Sequence, residues 1–319
     1  MNIDDKKRLR TKTIIFLAVT IALFAALMII GTFWDLQISK SLTKNSLAAG
    51  EYYSSDLFAL ECEAYGSTPI WLAFCFAFAL LYVFVTRLKV PTWLKVVLCA
   101  VCVVAAVFVS YKAIIEIFEY LAEQNGVQEL IDVGAVKGSA LFIGVIVFAL
   151  VFLLTVRVKL DRKTLVKVAL VLLCSCALYL VVSVIKTPVG RVRFRTINTL
   201  GDESLFTPWY VVNGKRTFAG LPGDCCKSFP SGHTFSAGMI FLLLLLPDLF
   251  DWANKRWLKI VLWACCGAYV VCVAVSRIIA GAHYLTDVTV GGFLALWGVT
   301  LFREIFIKDF AHFKSLKKE

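Results

Sequence analysis

Eight long apolar runs constrain this chain more than any other feature. They lie at about Thr13 to Phe33, Thr68 to Thr86, Val96 to Ile115, Ser139 to Val156, Leu165 to Ile185, Thr234 to Phe250, Leu258 to Ser276 and Val288 to Phe306. Each is close to the ~20 residues that a helix needs to cross a hydrocarbon layer about 30 Å thick. A chain that is 60% hydrophobic, with mean hydropathy +0.82, lies well outside the half-apolar composition of soluble domains. The expected fold is all-α: a polytopic membrane helix bundle of about eight transmembrane helices. The first run is longer than the ~7 to 15 residues of a signal-peptide core and is followed by no small-residue cleavage site, so it is expected to stay as an anchor.

Charge placement suggests an orientation. With the N-terminus in the cytoplasm, the inner segments hold 21 Lys and Arg residues and the outer segments 12. Seven of those 12 lie in one outer loop, from Lys186 to His233. A basic excess there runs against the positive-inside trend, and an anionic ligand gives it a reason. The remaining excess in the net charge of +11 falls on cytoplasmic flanks that face anionic headgroups. Nucleic acid is not an expected partner, because the charge is spread over short loops without a nucleic-acid motif, and no obligate protein partner is evident.

The polar stretches between the runs carry the chemistry. Ser276 to Asp287 reads S-R-x5-H-x3-D. If a helix begins near His283, Asp287 lies one turn further on the same face and can accept the proton-bearing ring nitrogen of His283. The other nitrogen is then free to attack, and Arg277 adds a planar cation suited to a phosphoryl group. Pro230-Ser231-Gly232-His233 precedes another apolar run; small residues before a helix offer backbone N–H groups to an anion, with a second imidazole beside them. Lys186 and Arg193, with six residues between them, follow a third run.

K-x6-R, P-S-G-H and S-R-x5-H-x3-D, in this order between membrane segments, resemble the type 2 phosphatidic acid phosphatase superfamily, which includes the vanadium haloperoxidases. Phe194 stands where the family pattern usually has Pro. The family core has six helices, with its first motif after the third; here five runs precede Lys186. The resemblance therefore implies two parts: residues 1–91 as an N-terminal two-helix transmembrane extension, and residues 92–319 as the phosphatase core with a cytoplasmic tail. It also implies a metal-independent phosphohydrolase without cofactor. In that chemistry His283 is the nucleophile, Asp287 orients it, and His233 is the general acid and base. Lys186, Arg193 and Arg277, with N–H groups from Ser231 and Gly232, hold the phosphoryl oxygens. The membrane branch fits this chain, since the haloperoxidases are soluble.

A site at the outer ends of membrane helices is reached most easily from the leaflet, so the expected substrate is a lipid phosphate or polyprenyl diphosphate, such as phosphatidic acid or undecaprenyl diphosphate. A soluble phosphate ester, as in the glucose-6-phosphatase branch, stays open, as does a catalytically silent lipid-binding scaffold. A transporter is disfavoured, because the ionisable residues collect at run ends rather than mid-membrane.

Other features give weaker expectations. Arg191 and Arg195 read equally as site residues or as solvated charge. The acids Glu116, Glu119, Glu123, Glu129 and Asp132, in an outer loop from Lys112 to Gly138, read as a solvated face. The segment Trp34 to Ser67 reads as an interfacial helix or as loop packing. Trp209, Tyr210 and Phe218 suit a headgroup-level lid or an interfacial belt. For Cys62, Cys225 and Cys226, a disulfide and unpaired thiols both stay open. His312 has no motif partner and reads as solvated.

Overall fold

A computed structural model describes residues 3–308. Among these residues every regular element is helical and none is a strand. Eight helical stretches are long and apolar enough to cross a membrane, and each contains one of the eight apolar runs apart from a residue at an end. The helices are α1 (Ile3–Thr43), α2 (Leu57–Tyr65), α3 (Thr68–Thr86), α4 (Thr92–Gln124), α5 (Gly134–Val156), α6 (Arg162–Val189), α7 (Phe194–Leu200), α8 (Gly232–Gly238), α9 (Leu246–Leu249), α10 (Arg256–Ile279) and α11 (Leu285–Arg303).

The bundle core lies where α3, α6, α8, α10 and α11 meet, around Phe235, Met239, Val171, Leu165 and Val299. Helices α3, α4 and α5 pack on one another and α3 joins them to α6, while α1 packs on α11 and α10. Gly291 makes the approach of α11 to α8 close: a Cβ there would sit 2.4 Å from the Ser231 carbonyl oxygen. That contact sets the last helix directly behind the P-S-G-H segment.

Three boundaries differ from the sequence expectation. Helix α1 does not stop at Phe33 but runs on to Thr43. Its 41 residues span about 60 Å at 1.5 Å per residue, twice a hydrocarbon core. One face of the overhang is packed, with Asp35, Ser39 and Thr43 buried. Helix α4 likewise continues to Gln124, so the outer acids nearest it are helical and pinned. Glu116 accepts from Ser67 Oγ at 2.9 Å and Trp71 Nε1 at 2.5 Å, and Glu123 accepts from the Tyr53 hydroxyl. The reading of these two acids as a solvated face is corrected. The sixth span is broken, with a 3-10 stretch at Met239–Leu245 between α8 and α9. Pro247 lacks the N–H that would bond back to Leu243, which ends regular helix from that side. Gly238, at the start of the break, packs tightly on Ala295: a Cβ there would come within 2.4 Å of the alanine methyl.

Candidate active site

Backbone hydrogen bonds bring the three motifs to one end of the bundle. Helix α6 ends at Gly190 with φ +57°, its N–H bonded to the Lys186 carbonyl. A Cβ there would lie 1.8 Å from the Gly214 carbonyl oxygen, so only glycine both makes the left-handed turn and lets the long loop close on it. The chain leaves this cap extended, and its amides and carbonyls are taken up in turn. Ser228 N donates to Arg191 O at 3.0 Å, Arg193 N to Cys225 O at 2.9 Å, Arg195 N to Gly281 O at 2.8 Å and Ser231 N to Asp287 O at 3.0 Å.

The Phe194 departure is absorbed by the backbone. Arg193 is the residue before α7, at φ −70° and ψ 149°, the extended conformation that a following proline imposes. Phe194 occupies the first helical position, where proline is favoured because that N–H has no helical partner. Its ring is buried against Leu47 and Tyr284. The turn that proline would impose is thus present without it.

His283 and Asp287 meet, but not as one turn of helix. Helix α11 begins only at Leu285, with Tyr284 as its N-cap and Asp287 at the third position, where Asp287 Oδ2 accepts from Tyr284 N at 2.9 Å. His283 precedes the helix, and its Nδ1 lies 3.7 Å from Asp287 Oδ2, beyond hydrogen-bond distance. The carboxylate is already occupied: Oδ1 accepts from Arg191 Nη1 at 2.5 Å and Oδ2 from Ser228 Oγ at 2.5 Å.

Arg191 is therefore no solvated charge. It is completely buried, bonded to Asp35 Oδ2 at 3.0 Å, Thr286 Oγ1 at 2.8 Å and Thr207 O at 2.9 Å, with its guanidinium carbon 4.2 Å from the Tyr284 ring centroid. Arg195 is also buried, over the Tyr52 ring at 4.4 Å.

The remaining motif residues face the same space. Arg277, Glu63, His283 and Lys186 are ionisable groups near enough to His233 to interact with it. For His283 these groups are Lys186, Arg193 and Asp287. Lys186 Nζ donates to Lys227 O at 3.1 Å, Arg193 Nη2 pairs with Asp224 Oδ2 at 2.6 Å, and Arg277 Nη2 donates to Glu63 Oε1 at 2.7 Å. The His233 ring is edge-on to Tyr120, centroids 5.2 Å apart. Among the described residues, five buried nitrogens of this cluster have no hydrogen-bond partner: Arg193 Nε, Arg277 Nε and Nη1, His233 Nε2 and His283 Nδ1. Buried donors of this kind are rarely left unpaired. The arginine nitrogens among them keep hydrogen-bonding capacity that an anion would take up.

Of the two amides expected to face the phosphate, Ser231 N–H is committed to the Asp287 carbonyl, and the Ser231 hydroxyl caps α8 by accepting from Thr234 N at 3.3 Å. Burial pushes the His283 imidazole down to about 3, with Lys186 and Arg193 acting the same way against the upward pull of Asp287. It is thus neutral at ordinary pH, with a lone pair on the ring. Burial raises Asp224, but Arg193, Arg195 and Lys186 outweigh it and hold that carboxyl below its usual range.

The motifs did not point to Asp35, Glu63, Asp224 or Tyr120. The only available signal for the first two was an acid at or near the end of an apolar run, a costly placement that calls for a partner. All eleven cysteines are free, with Cys225 and Cys226 Sγ 3.6 Å apart, so no disulfide joins Cys62, Cys225 or Cys226. Among the described residues no group of three or more His, Cys, Asp or Glu side chains is placed to hold a metal ion. His312 lies outside the described residues.

What fold and site define together is a helical membrane bundle with a buried cluster of Arg, Lys and His at one end. A family model, the PAP2 superfamily, matches residues 167–309. Over this segment the chain is similar to the PAP2 superfamily, a likeness that supports a phosphoester hydrolase. No curated protein and no solved structure matches the chain.

Proposed function

We propose that this protein is an integral-membrane phosphatase that hydrolyses a lipid phosphate or polyprenyl diphosphate through a phosphohistidine intermediate, without a metal or other cofactor. The observation that carries the reading is the set of unpartnered buried nitrogens on Arg193, Arg277 and His233, the cations and the acid-base imidazole of the three motifs. His283 Nδ1 is the nitrogen turned toward Asp287, so the attacking atom is Nε2. Its lone pair forms the N–P bond in line as the P–O bond to the leaving group breaks. His233 gives its proton to the departing oxygen, then takes one from the water that cleaves the N–P bond. Asp287 stabilises the imidazolium formed in the first step; the 3.7 Å gap is of the loose kind that closes when substrate is bound. Lys186, Arg193, Arg277 and the Gly232 amide hold the equatorial oxygens.

An apolar cavity of about 340 Å³ supports the lipid reading. It is lined by Leu23 and Leu27 of α1, Val270 and Ile278 of α10, and Thr234 and Leu285. Thr234 and Ile278 adjoin His233 and Arg277 in the chain, so an acyl or prenyl tail held there keeps its phosphate at the cluster. The Lys and Arg distribution supports an extracytoplasmic site, with both termini in the cytoplasm of a cell-membrane protein. A soluble phosphate ester is the second reading. A polar cleft of about 800 Å³ reaches Tyr120 and Asp224 and gives it an aqueous route, but the walls carry Glu116, Glu119, Glu123, Glu129 and Asp132, which oppose an anionic ester.

The test is phosphate release by purified protein, in EDTA, from phosphatidic acid, phosphatidylglycerol phosphate, undecaprenyl diphosphate and glucose 6-phosphate, with His283→Ala in parallel. Release from a lipid that the variant abolishes supports the first reading; release from glucose 6-phosphate alone supports the second. No release from any of the four by folded protein counts against both and for a silent scaffold.

A further inference from the structure

Glu63 lies outside the family-matched segment, on the short helix α2, yet its carboxylate is buried inside the cation cluster. It accepts from Arg277 Nη2 at 2.7 Å and lies 3.7 Å from Arg195 Nη1, and its charge reaches His233. A negative charge beside a site for anions opposes anion binding, so its presence needs a reason. The hydrogen bonds of Arg277 supply one. Its side chain is completely buried, and a guanidinium presents its five N–H donors in a rigid plane. With Nη2 fixed by Glu63, the fork can no longer turn about its long stem. Nε and Nη1, which have no partner among the described residues, are then held open for a ligand.

We propose that Glu63 is a positioning residue for phosphoryl binding: it anchors one arm of Arg277 so that the remaining donors meet the oxyanion already aligned. The inference rests on the phosphatase reading, since Arg277 is the group it acts through. Helix α2 thereby supplies part of a site whose motifs all lie after residue 185. Helix α2 packs on α10, which carries Arg277, and on α4. Asp56 caps its start by accepting from Ala59 N at 2.8 Å, so the acid is delivered by a fixed element.

Anchoring and charge are separable by substitution. Glu63→Gln keeps the reach and an acceptor oxygen but loses the charge; Glu63→Asp keeps the charge but is one methylene too short for a 2.7 Å bond to Arg277. The measurement is the orthovanadate affinity of the full-length protein in detergent, for the wild type, these two variants, Arg277→Ala and each double variant. If Glu63 anchors Arg277, Glu63→Gln binds vanadate as well as the wild type or better. Glu63→Asp binds roughly ten- to a hundredfold more weakly, the scale of one charge-assisted hydrogen bond. In the Arg277→Ala background the Asp substitution costs nothing further, as coupling through one residue requires. The opposite order, Gln weak and Asp normal, would overturn the proposal, as would an Asp effect of equal size with Arg277 absent or no effect from either change. Wild-type protein that neither binds vanadate nor releases phosphate would remove the phosphatase reading itself. A vanadate-binding wild type with unaffected Glu63 variants removes only the role of Glu63.

Discussion

The two ends of the bundle use the same residue types to opposite effect. At the end away from the motifs, Asp248 takes Arg303 Nε at 2.5 Å on one oxygen and Lys308 Nζ at 2.5 Å on the other. Both cations remain partly exposed, and the pairs fasten the end of α11 to α9. At the motif end, Arg191, Arg193, Arg195 and Arg277 are all buried, and acids from four separate elements meet them. Yet some of their nitrogens have no partner among the described residues. One end is a closed lock and the other an open socket. Net charge does not separate them, since both mix acids and bases; what does is whether the buried donors are used up.

The sharpest way to break the contrast is to remove His283, the proposed nucleophile. His283→Ala is expected to lower phosphate release by about 10⁴-fold or more, since a covalent route fails without its attacking atom. Rapid-quench or steady-state phosphate assays measure it. Arg277→Ala removes transition-state donors from the socket and should cost about two to three decades in kcat. Arg191→Met tests the support behind the socket. It strips a buried guanidinium from Asp35 and Asp287, and leaving such carboxylates uncompensated costs about 3 to 5 kcal/mol, read as a lowered unfolding midpoint in denaturant.

Acidification sharpens the contrast more gently. His283 is held near 3 in the folded protein against an ordinary value of 6.5. The unfolded chain therefore binds a proton that the native site refuses, and stability falls as the pH drops from about 6.5 toward 3. His283→Asn should flatten that slope in pH-dependent thermal unfolding. The smallest effect belongs to the lock: Asp248→Asn should lower the melting temperature while leaving kcat/KM within about twofold, since partly exposed pairs contribute little and none of them faces the socket.

The eight spans were readable because apolar length is a direct consequence of the bilayer. The three motifs were readable as spacings, K-x6-R, P-S-G-H and S-R-x5-H-x3-D, that match a family pattern. The supporting acids were hidden for a physical reason: Asp35 reaches Arg191 over 156 residues and Glu63 reaches Arg277 over 214, and no local pattern records such a pairing. Arg191 shows the same limit from the other side. Two residues from Arg193 in sequence, it points instead to Asp287, and only burial distinguishes it from a surface charge. The start of α11 was misplaced because Asp287 fits two local roles, partner of His283 one helical turn away and third residue of a capping box. The structure uses the second, with Tyr284 N as the donor.

The central claim is that the motif end is an anion socket and the far end is not. Orthovanadate titration of the purified protein, followed by its thermal unfolding midpoint, tests it most directly. The expected result is a saturable rise in the wild type, lost in Arg277→Ala and retained in Asp248→Asn. A rise that survives Arg277→Ala, or that disappears in Asp248→Asn, would contradict it.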